Sequence, residues 1–360
     1  MRSTMLRTWA TEMGASMFLR NAWYVAARSR EVERTLLART ILNEPIVLYR
    51  KRDGAAVALE DRCCHRHLPL SMGTIIDDDL RCGYHGLRFD ANGVCVNIPG
   101  QSEIPTQARV SAYPLVERWQ WLWIWMGDPA RADPALIPNL WWADHPDWIF
   151  SQYDMVPLKC NYRLIADNVL DATHLTYVHS SSIGTSSIAD IEPKIERDGD
   201  IVRVTRWILD RPPPSMYKQA GGFPGNVDRW AVAQFQPPCY SINFAGCVDV
   251  GCGGPQSDRS KSSRTVELVA LSMPTPSTEK TSYYFFAFSR CFGRDDPAVE
   301  KMFSEGMLNV FCEDFAVLEA QQHMMDLKPD AAQISLRSDA GPIRARHMLD
   351  RIIADEQRAS

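Results

Sequence analysis

Two short cysteine–histidine pairs constrain this chain more than any other feature. Cys63-x-His65 is followed, after sixteen residues, by Cys82-x-x-His85. Four side chains of ligand type in two tight turns can hold one metal centre, which calls for a fold that brings both loops together. Zinc in a structural Cys2His2 site is one reading. A Rieske-type [2Fe–2S] cluster is the other, with Cys63 and Cys82 on one iron and His65 and His85 on the second. The two readings differ in pairing. A zinc finger usually holds ligands of one type in each short pair, whereas here each pair mixes one Cys with one His. Mixed pairing suits two loops that each touch both irons of a planar cluster. Pro69, Gly73, Gly83 and Gly86 flank the ligands and let the loop backbones approach inorganic sulfide. Cys64 fills the x of the first pair and reads as a packing residue, and His67 as a loop histidine.

A second constellation lies between Asp167 and His179, where residues 162–178 read as helix. At about 100° per residue, His174 falls about 60° to one side of Asp171 and His179 about 80° to the other. Asn168 also lies about 60° from Asp171. Two imidazoles bracket a carboxylate along one side, although the roughly 140° between them demands a distorted helix. An iron that activates O2 takes two His and one carboxylate on one face and leaves positions open. A lone His pair at this spacing is more often structural. This chain, however, has 8 His, and His65, His85, His174 and His179 all fall in the two motifs. Further on, residues 296–325 read as a helix with Met302, Phe303, Met307, Val310, Phe311, Asp314 and Leu318 at helical spacings. By residue type alone, its Glu313-Asp314 pair is a solvated face.

The bulk properties set the frame. A chain of 360 residues accommodates two domains, and 45% hydrophobic with 23% charged residues is the balance of a soluble globular protein. A net charge of -5 without a basic run excludes nucleic acid as partner. No apolar stretch nears the ~18 residues of a membrane span; Trp119–Met126 is short and aromatic, a buried strand. Ten cysteines without a secretory signal imply a reducing cytoplasm, with Cys160, Cys239, Cys247, Cys252, Cys291 and Cys312 as buried thiols. Met17-Phe18-Leu19-Arg20 resembles a second start, which makes residues 1–16 a dispensable extension.

From Asn21 to Asp128 the chain reads as short strands, with hairpins at Arg52-Asp53-Gly54 and Asn92-Gly93. A proline-punctuated stretch ending at Pro138 marks the domain boundary, and 200–290 alternates like an antiparallel sheet. The expected class is therefore α+β, with domains at 17–138 and 139–356. No GxGxxG follows a strand, and no plant-type ferredoxin cysteine spacing is present. Electrons must come from another protein, most simply an NAD(P)H-dependent reductase, with or without a separate ferredoxin.

Cys63-Cys64-His65-Arg66-His67-Leu68-Pro69-Leu70 and Cys82-Gly83-Tyr84-His85-Gly86-Leu87 resemble the loops of Rieske non-haem iron oxygenases that act on aromatic acids. Asn21-Ala22-Trp23-Tyr24-Val25-Ala26, Glu117-Arg118 and Trp123-Ile124-Trp125 extend the likeness, which runs from about Met17 to about Glu356. Within that family the chain resembles the oxygenase components of toluenesulfonate methyl-monooxygenase, vanillate O-demethylase and dicamba O-demethylase. The resemblance implies an antiparallel β Rieske domain, with Cys63, His65, Cys82 and His85 holding the cluster, and a catalytic domain of curved antiparallel sheet over helices. It also implies mononuclear Fe(II) on His174, His179 and Asp314, with Glu313 as the alternative carboxylate. In a head-to-tail homotrimer, electrons would pass from His85 through the neighbour's Asp171 to His174, with Asn168 beside them. It places Asn243, within Ile242-Asn243-Phe244, against a small aromatic acid. No Arg or Lys in 200–290 stands out as a clamp for that acid. The implied reaction inserts one oxygen of O2 into a methyl or O-methyl group, as in aromatic catabolism. Ring hydroxylation is the alternative, and a non-catalytic electron-transfer or zinc protein the remote one.

Overall fold

A computed structural model describes residues 17–185 and 188–359. The expectation for residues 1–16 lies outside the described residues. The chain divides into two compact units, one built from Arg20–Asn139 with Thr275–Glu279, the other mainly from Leu140–Pro274 and from Lys280 onward. No helix among the described residues is long and apolar enough to cross a membrane.

The first unit is all strand and turn. β1 (Trp23–Arg28) pairs with β10 (Trp121–Trp125), which pairs with β9 (Leu115–Arg118). β2 (Leu37–Ile41), β3 (Glu44–Arg50) and β4 (Ala56–Glu60) form a second sheet. β5 (Thr74–Ile76), β6 (Asp79–Arg81), β7 (Arg88–Phe89) and β8 (Cys95–Asn97) form a third. The expected hairpins fall at β3–β4 and β7–β8. Every residue of β10 is buried, as its unbroken apolar run requires. A core of Val47, Tyr49, Leu59, Leu70, Leu80, Leu87 and Phe89 encloses Cys63 and Cys82, so the two loops end in close-packed hydrophobic surroundings.

The second unit is an antiparallel sheet of eight strands with helices against it. β11 (Ile149–Gln152) and β12 (Val156–Leu158) pair with β18 (Thr281–Arg290). The path then runs through β17 (Thr265–Thr278), β16 (Tyr240–Asp249), β15 (Val227–Gln236), β14 (Ile201–Arg211) and β13 (Lys194–Asp198). Among the described residues four helices accompany the sheet: α1 (Tyr162–Leu170), α2 (Ser215–Gly221), α3 (Pro297–Leu327) and α4 (Ala340–Ala359). Two of them, α2 and α4, have no counterpart in the sequence reading. α3 buries Phe303, Met307, Phe311 and Leu318 against Tyr284, Phe286 and Phe288 of β18. The Phe286 and Phe311 rings sit 4.6 Å apart. A stripe spaced by four, four and seven residues keeps one face of α3 on the sheet.

The helix expected over 162–178 is shorter. α1 stops at Leu170, and Asp171 turns to extended geometry at φ -104°, ψ 90°. Its carboxylate then accepts the Thr173 N–H at 3.0 Å and caps a 3-10 turn over Ala172–Thr176. Asp171 thus closes one helix and starts the next turn, which is how the chain supplies the distortion demanded by the two histidines.

α1 is fixed from behind by α4. Arg163 Nη1 donates to Asp350 at 2.6 Å, and Arg346 Nε donates to Asp167 at 2.8 Å. Burial raises the Asp167 carboxyl to about 6, against the opposing pull of Arg346. A carboxyl raised in the fold favours folding at acid pH, and that contribution fades as pH rises through about 6. Without Arg346, ionisation of Asp167 becomes costlier still. Arg346→Ala is therefore expected to cost ~3 kcal/mol of stability at pH 8, where a buried charge loses its partner. The loss should be clearly smaller at pH 5, where Asp167 takes a proton. Thermal unfolding at the two pH values checks this, and equal losses would refute it.

Candidate metal centres

The two cysteine–histidine loops are structural twins. In the first, Cys63 N–H donates to the Leu68 carbonyl at 3.0 Å and His67 N–H to the Cys63 carbonyl at 2.9 Å. In the second, Cys82 N–H donates to Leu87 at 2.8 Å and Gly86 N–H to Cys82 at 3.2 Å. The fourth residue after each cysteine is left-handed: Gly86 at φ +76° and His67 at φ +59°. His67 is thus the position that closes its loop, a role that its residue type did not signal. A Cβ on Gly73 would collide with the Arg81 carbonyl oxygen, and one on Gly83 would lie 2.6 Å from that of Met72. Glycine lets the loops approach this closely.

At their tips the ligand types separate. Cys63 and Cys82 are each 2% exposed, whereas His65 and His85 are exposed with ring centroids 4.6 Å apart. Burial pushes the Cys63 thiol up to about 11, and neighbouring Cys82 adds to the shift. Two adjacent buried sulfurs become thiolates only beside a cation. Buried sulfur on one side and outward imidazole on the other match a cluster with two unlike irons, and so fit the group.

The second centre draws on α1, the turn after Asp171, and α3. His174 Nε2, His179 Nε2 and a carboxylate oxygen of Asp314 lie within 4.8 Å of one another. Asp314 Oδ1 stands 3.2 Å from His179 Nε2 and 3.6 Å from His174 Nε2, and it accepts Asn168 Nδ2 at 3.0 Å. Asp314 does not lie on a solvated face. It follows Phe311 by three residues and precedes Leu318 by four, on the buried stripe of α3.

Each imidazole is also held from behind. His174 Nδ1 meets the peptide oxygen of Asp171 at 2.5 Å, and His179 Nδ1 meets Glu313 Oε2 at 2.6 Å. With Nδ1 protonated toward these acceptors, both Nε2 lone pairs face the centre. Two further carboxylates lie beside the three donors. Glu313, the alternative ligand in the sequence reading, touches the far side of His179. The Asp171 carboxylate makes no hydrogen bond to the His174 ring; it accepts the Thr173 N–H and faces the buried Arg206, whose Nη2 is 3.4 Å away. Both of these contacts are made by Asp171 Oδ1, while the peptide oxygen of the same residue takes the His174 ring.

The histidines titrate in opposite directions. Burial lowers His174, whereas for His179 burial is outweighed by Asp314 and Glu313, and the ring is raised. Neutral imidazole is what a metal takes, so a cation here replaces the proton on His179. The donor set fits a facial site of two His and one carboxylate.

A cavity of about 840 Å³, counted to its open mouth, adjoins these groups. Asn243 lines it from β16, beside Phe244, Leu268 and Ala270. Asn243 pairs in register with Ala233 and Ala270.

Comparison with known proteins agrees with this layout. Residues 22–114 match the Rieske [2Fe-2S] domain, and residues 158–355 match the vanillate O-demethylase oxygenase C-terminal domain. The toluene-4-sulfonate monooxygenase system iron-sulfur subunit of Comamonas testosteroni is 41% identical, over 94% of this chain and 98% of its own. The vanillate O-demethylase oxygenase subunit of Pseudomonas sp. strain HR199 is 35% identical, over 96% and 97%. Among solved structures, dicamba monooxygenase bound to 3,6-dichlorosalicylic acid superposes with a TM-score of 0.85 at 32% identity, covering 94% and 99%.

Glu313→Ala removes the support behind His179 while leaving all three inward-facing donors in place. Affinity for ferrous iron is expected to fall ~10–100-fold, with cluster absorbance unchanged. Metal titration followed by iron analysis checks this, and undiminished affinity would show that the contact is incidental.

Proposed function

The chain belongs to the Rieske oxygenases whose catalytic domain is of the vanillate O-demethylase type, and from that premise we propose an assignment of its parts. It is the terminal oxygenase component of a multicomponent monooxygenase that uses O2 and reductase-supplied electrons. Its cofactors are a Rieske [2Fe–2S] cluster and a mononuclear iron. In the proposed assignment, 17–138 form the Rieske domain and 139–356 the catalytic domain. Cys63, His65, Cys82 and His85 hold the cluster, and His174, His179 and Asp314 hold the iron. The observation that carries this reading is the meeting of His174, His179 and Asp314 at the wall of the cavity.

When bound, the iron supplies O2 activation and the cluster supplies the electrons, one at a time. The protein supplies position. Asn168 fixes the Asp314 carboxylate, the Asp171 peptide oxygen fixes His174, and Glu313 fixes His179. Ile183, Leu268 and Phe244 give the cavity apolar walls that exclude water from the reacting carbon. The proposed substrate is a small aromatic acid with a methyl or O-methyl carbon. The compounds named for the relatives share an aromatic ring, an anionic group and such a carbon. The overall reaction converts a methyl ether to a phenol and formaldehyde, or an aryl methyl group to an alcohol. Asn243 is assigned to the substrate.

Assay of the reconstituted system with vanillate, 4-methoxybenzoate and 4-methylbenzenesulfonate tests this. Formaldehyde from the ethers, or benzylic alcohol from the sulfonate, is the expected product. A ring-hydroxylated product with the methyl carbon intact would overturn the assignment in favour of ring oxygenation.

The proposed assembly is a head-to-tail homotrimer, whose heterologous interface closes into a ring. His85 is exposed and Asp171 partly exposed, as is needed for one subunit's His85 to meet the next subunit's Asp171. Asp171→Asn tests the path. The peptide oxygen that holds His174 is untouched by the change, and an amide oxygen still accepts the Thr173 N–H, so iron and cluster should both be retained. Loss of the charge should slow cluster reoxidation by O2 at least ~10–100-fold. Stopped-flow reoxidation measures this, and wild-type rates would exclude the bridge.

A further inference from the structure

Two arginines are buried beside the cavity, and only one has its charge answered. Arg206, on β14 and 2% exposed, donates through Nε to Ile191 at 3.2 Å and through Nη2 to Thr173 Oγ1 at 3.1 Å, with Asp171 at 3.4 Å. Arg229, on β15, lines the same cavity and is 3% exposed. Its Nε and Nη1 have no hydrogen-bond partner, and no carboxylate pairs with it among the described residues. Tyr217, whose ring lies 5.3 Å from its Cζ and whose hydroxyl is a hydrogen-bond partner of the guanidinium, is neutral and supplies no anion. Adjacent Asp228 cannot answer the charge. Successive strand residues point to opposite faces, and the Asp228 carboxylate is engaged by the backbone N–H groups of Asp210, Gly251 and Gly253.

A buried guanidinium with unmade hydrogen bonds is unfavourable unless an anion completes it. The floor beside it is shaped for one carried on a ring. Arg229, Ala231 and Ala233 succeed one another on the cavity side of β15; Ala231 pairs with Ala245, and Ala233 with Asn243. Methyl groups therefore tile the sheet between Arg229 and the row of Asn243, about 13 Å apart along the strand at ~3.3 Å per residue.

We propose that Arg229 is the anion-binding residue of the cavity, taking the sulfonate or carboxylate of an aromatic acid whose ring lies over the alanine floor. This deepens the reading of the substrate given above and rests on it. Guanidinium suits both oxyanions, since its planar donors match two oxygens at once.

Equilibrium binding to the cluster- and iron-loaded protein, without reductase, tests the proposal apart from turnover. The probes are 4-methylbenzenesulfonate with its neutral isostere 4-methylbenzenesulfonamide, and 4-methoxybenzoate with 4-methoxybenzamide. Arg229→Gln is expected to weaken the preferred acid by at least ~30-fold, the smaller end of what truncating one partner of a buried charge pair costs. Binding of its amide should change by less than about threefold, with cluster absorbance and iron content as in wild type. Arg229→Lys, which keeps the charge and loses the fork, should recover part of the acid affinity. Whichever acid suffers the larger loss identifies the oxyanion. Unchanged acid affinity in Arg229→Gln overturns the clamp, and so does equal loss of acid and amide, which marks a structural arginine. A wild-type protein that binds neither acid defeats the substrate reading itself, and the clamp with it.

Discussion

One carboxylate oxygen, Asp314 Oδ1, is the point at which the catalytic unit is tied together. It accepts from Asn168 of α1 and lies within 3.6 Å of imidazole nitrogens from the following turn. Those partners sit far back in the sequence, so no local preference brings them to the acid. Packing does so. Phe311 and Leu318 pull one face of α3 onto β18, and Asp314, lying between them on that face, is carried in with them. The hydrophobic effect supplies the position, and the polar partners offset the desolvation that position imposes. On the far side, the two arginine–aspartate pairs to α4 hold α1 in place, so the histidine-bearing turn starts from a fixed end.

Asp171 divides its work between backbone and side chain. Its peptide oxygen holds His174, and its carboxylate caps the next turn and meets Arg206. The contact that holds the His174 ring is therefore made by backbone and not by the side-chain charge, which is left partly exposed. A residue assigned to carry electrons between subunits needs such independence, because its charge can respond to a neighbour without displacing a ligand.

What the sequence made legible was local. The cysteine–histidine loops follow from spacing, because their ligands lie within a few residues and the turns close on themselves. The hairpins and α3 follow from turn residues and period. The break at Asp171 did not, since an aspartate that caps two successive turns reads like any other residue of a periodic helix. α4 is hidden in the sequence because Ala340-Gly341-Pro342 opens it with turn-forming residues. Glu313 and Asp314, as adjacent acids, are indistinguishable as ligands until the helix face is known. Arg229 does not stand out in the sequence because an arginine preceded by an acid, Asp228, looks like any strand residue with a neighbouring countercharge. Only the pleat, which sends the two side chains to opposite faces, and the hydrogen bonds that engage Asp228 show otherwise.

The alanine floor has a consequence for how such a cavity diverges. The groups assigned to iron come from helices and turns, whereas the surface assigned to the ring comes from Ala231, Ala233, Ala245 and Ala270 on three strands. An alanine codon becomes a valine codon by one base change, and each such step fills a little of the space over which the ring lies. A lineage can therefore walk from one aromatic compound to another through single, separately selectable nucleotide changes, while the oxygen chemistry is inherited intact.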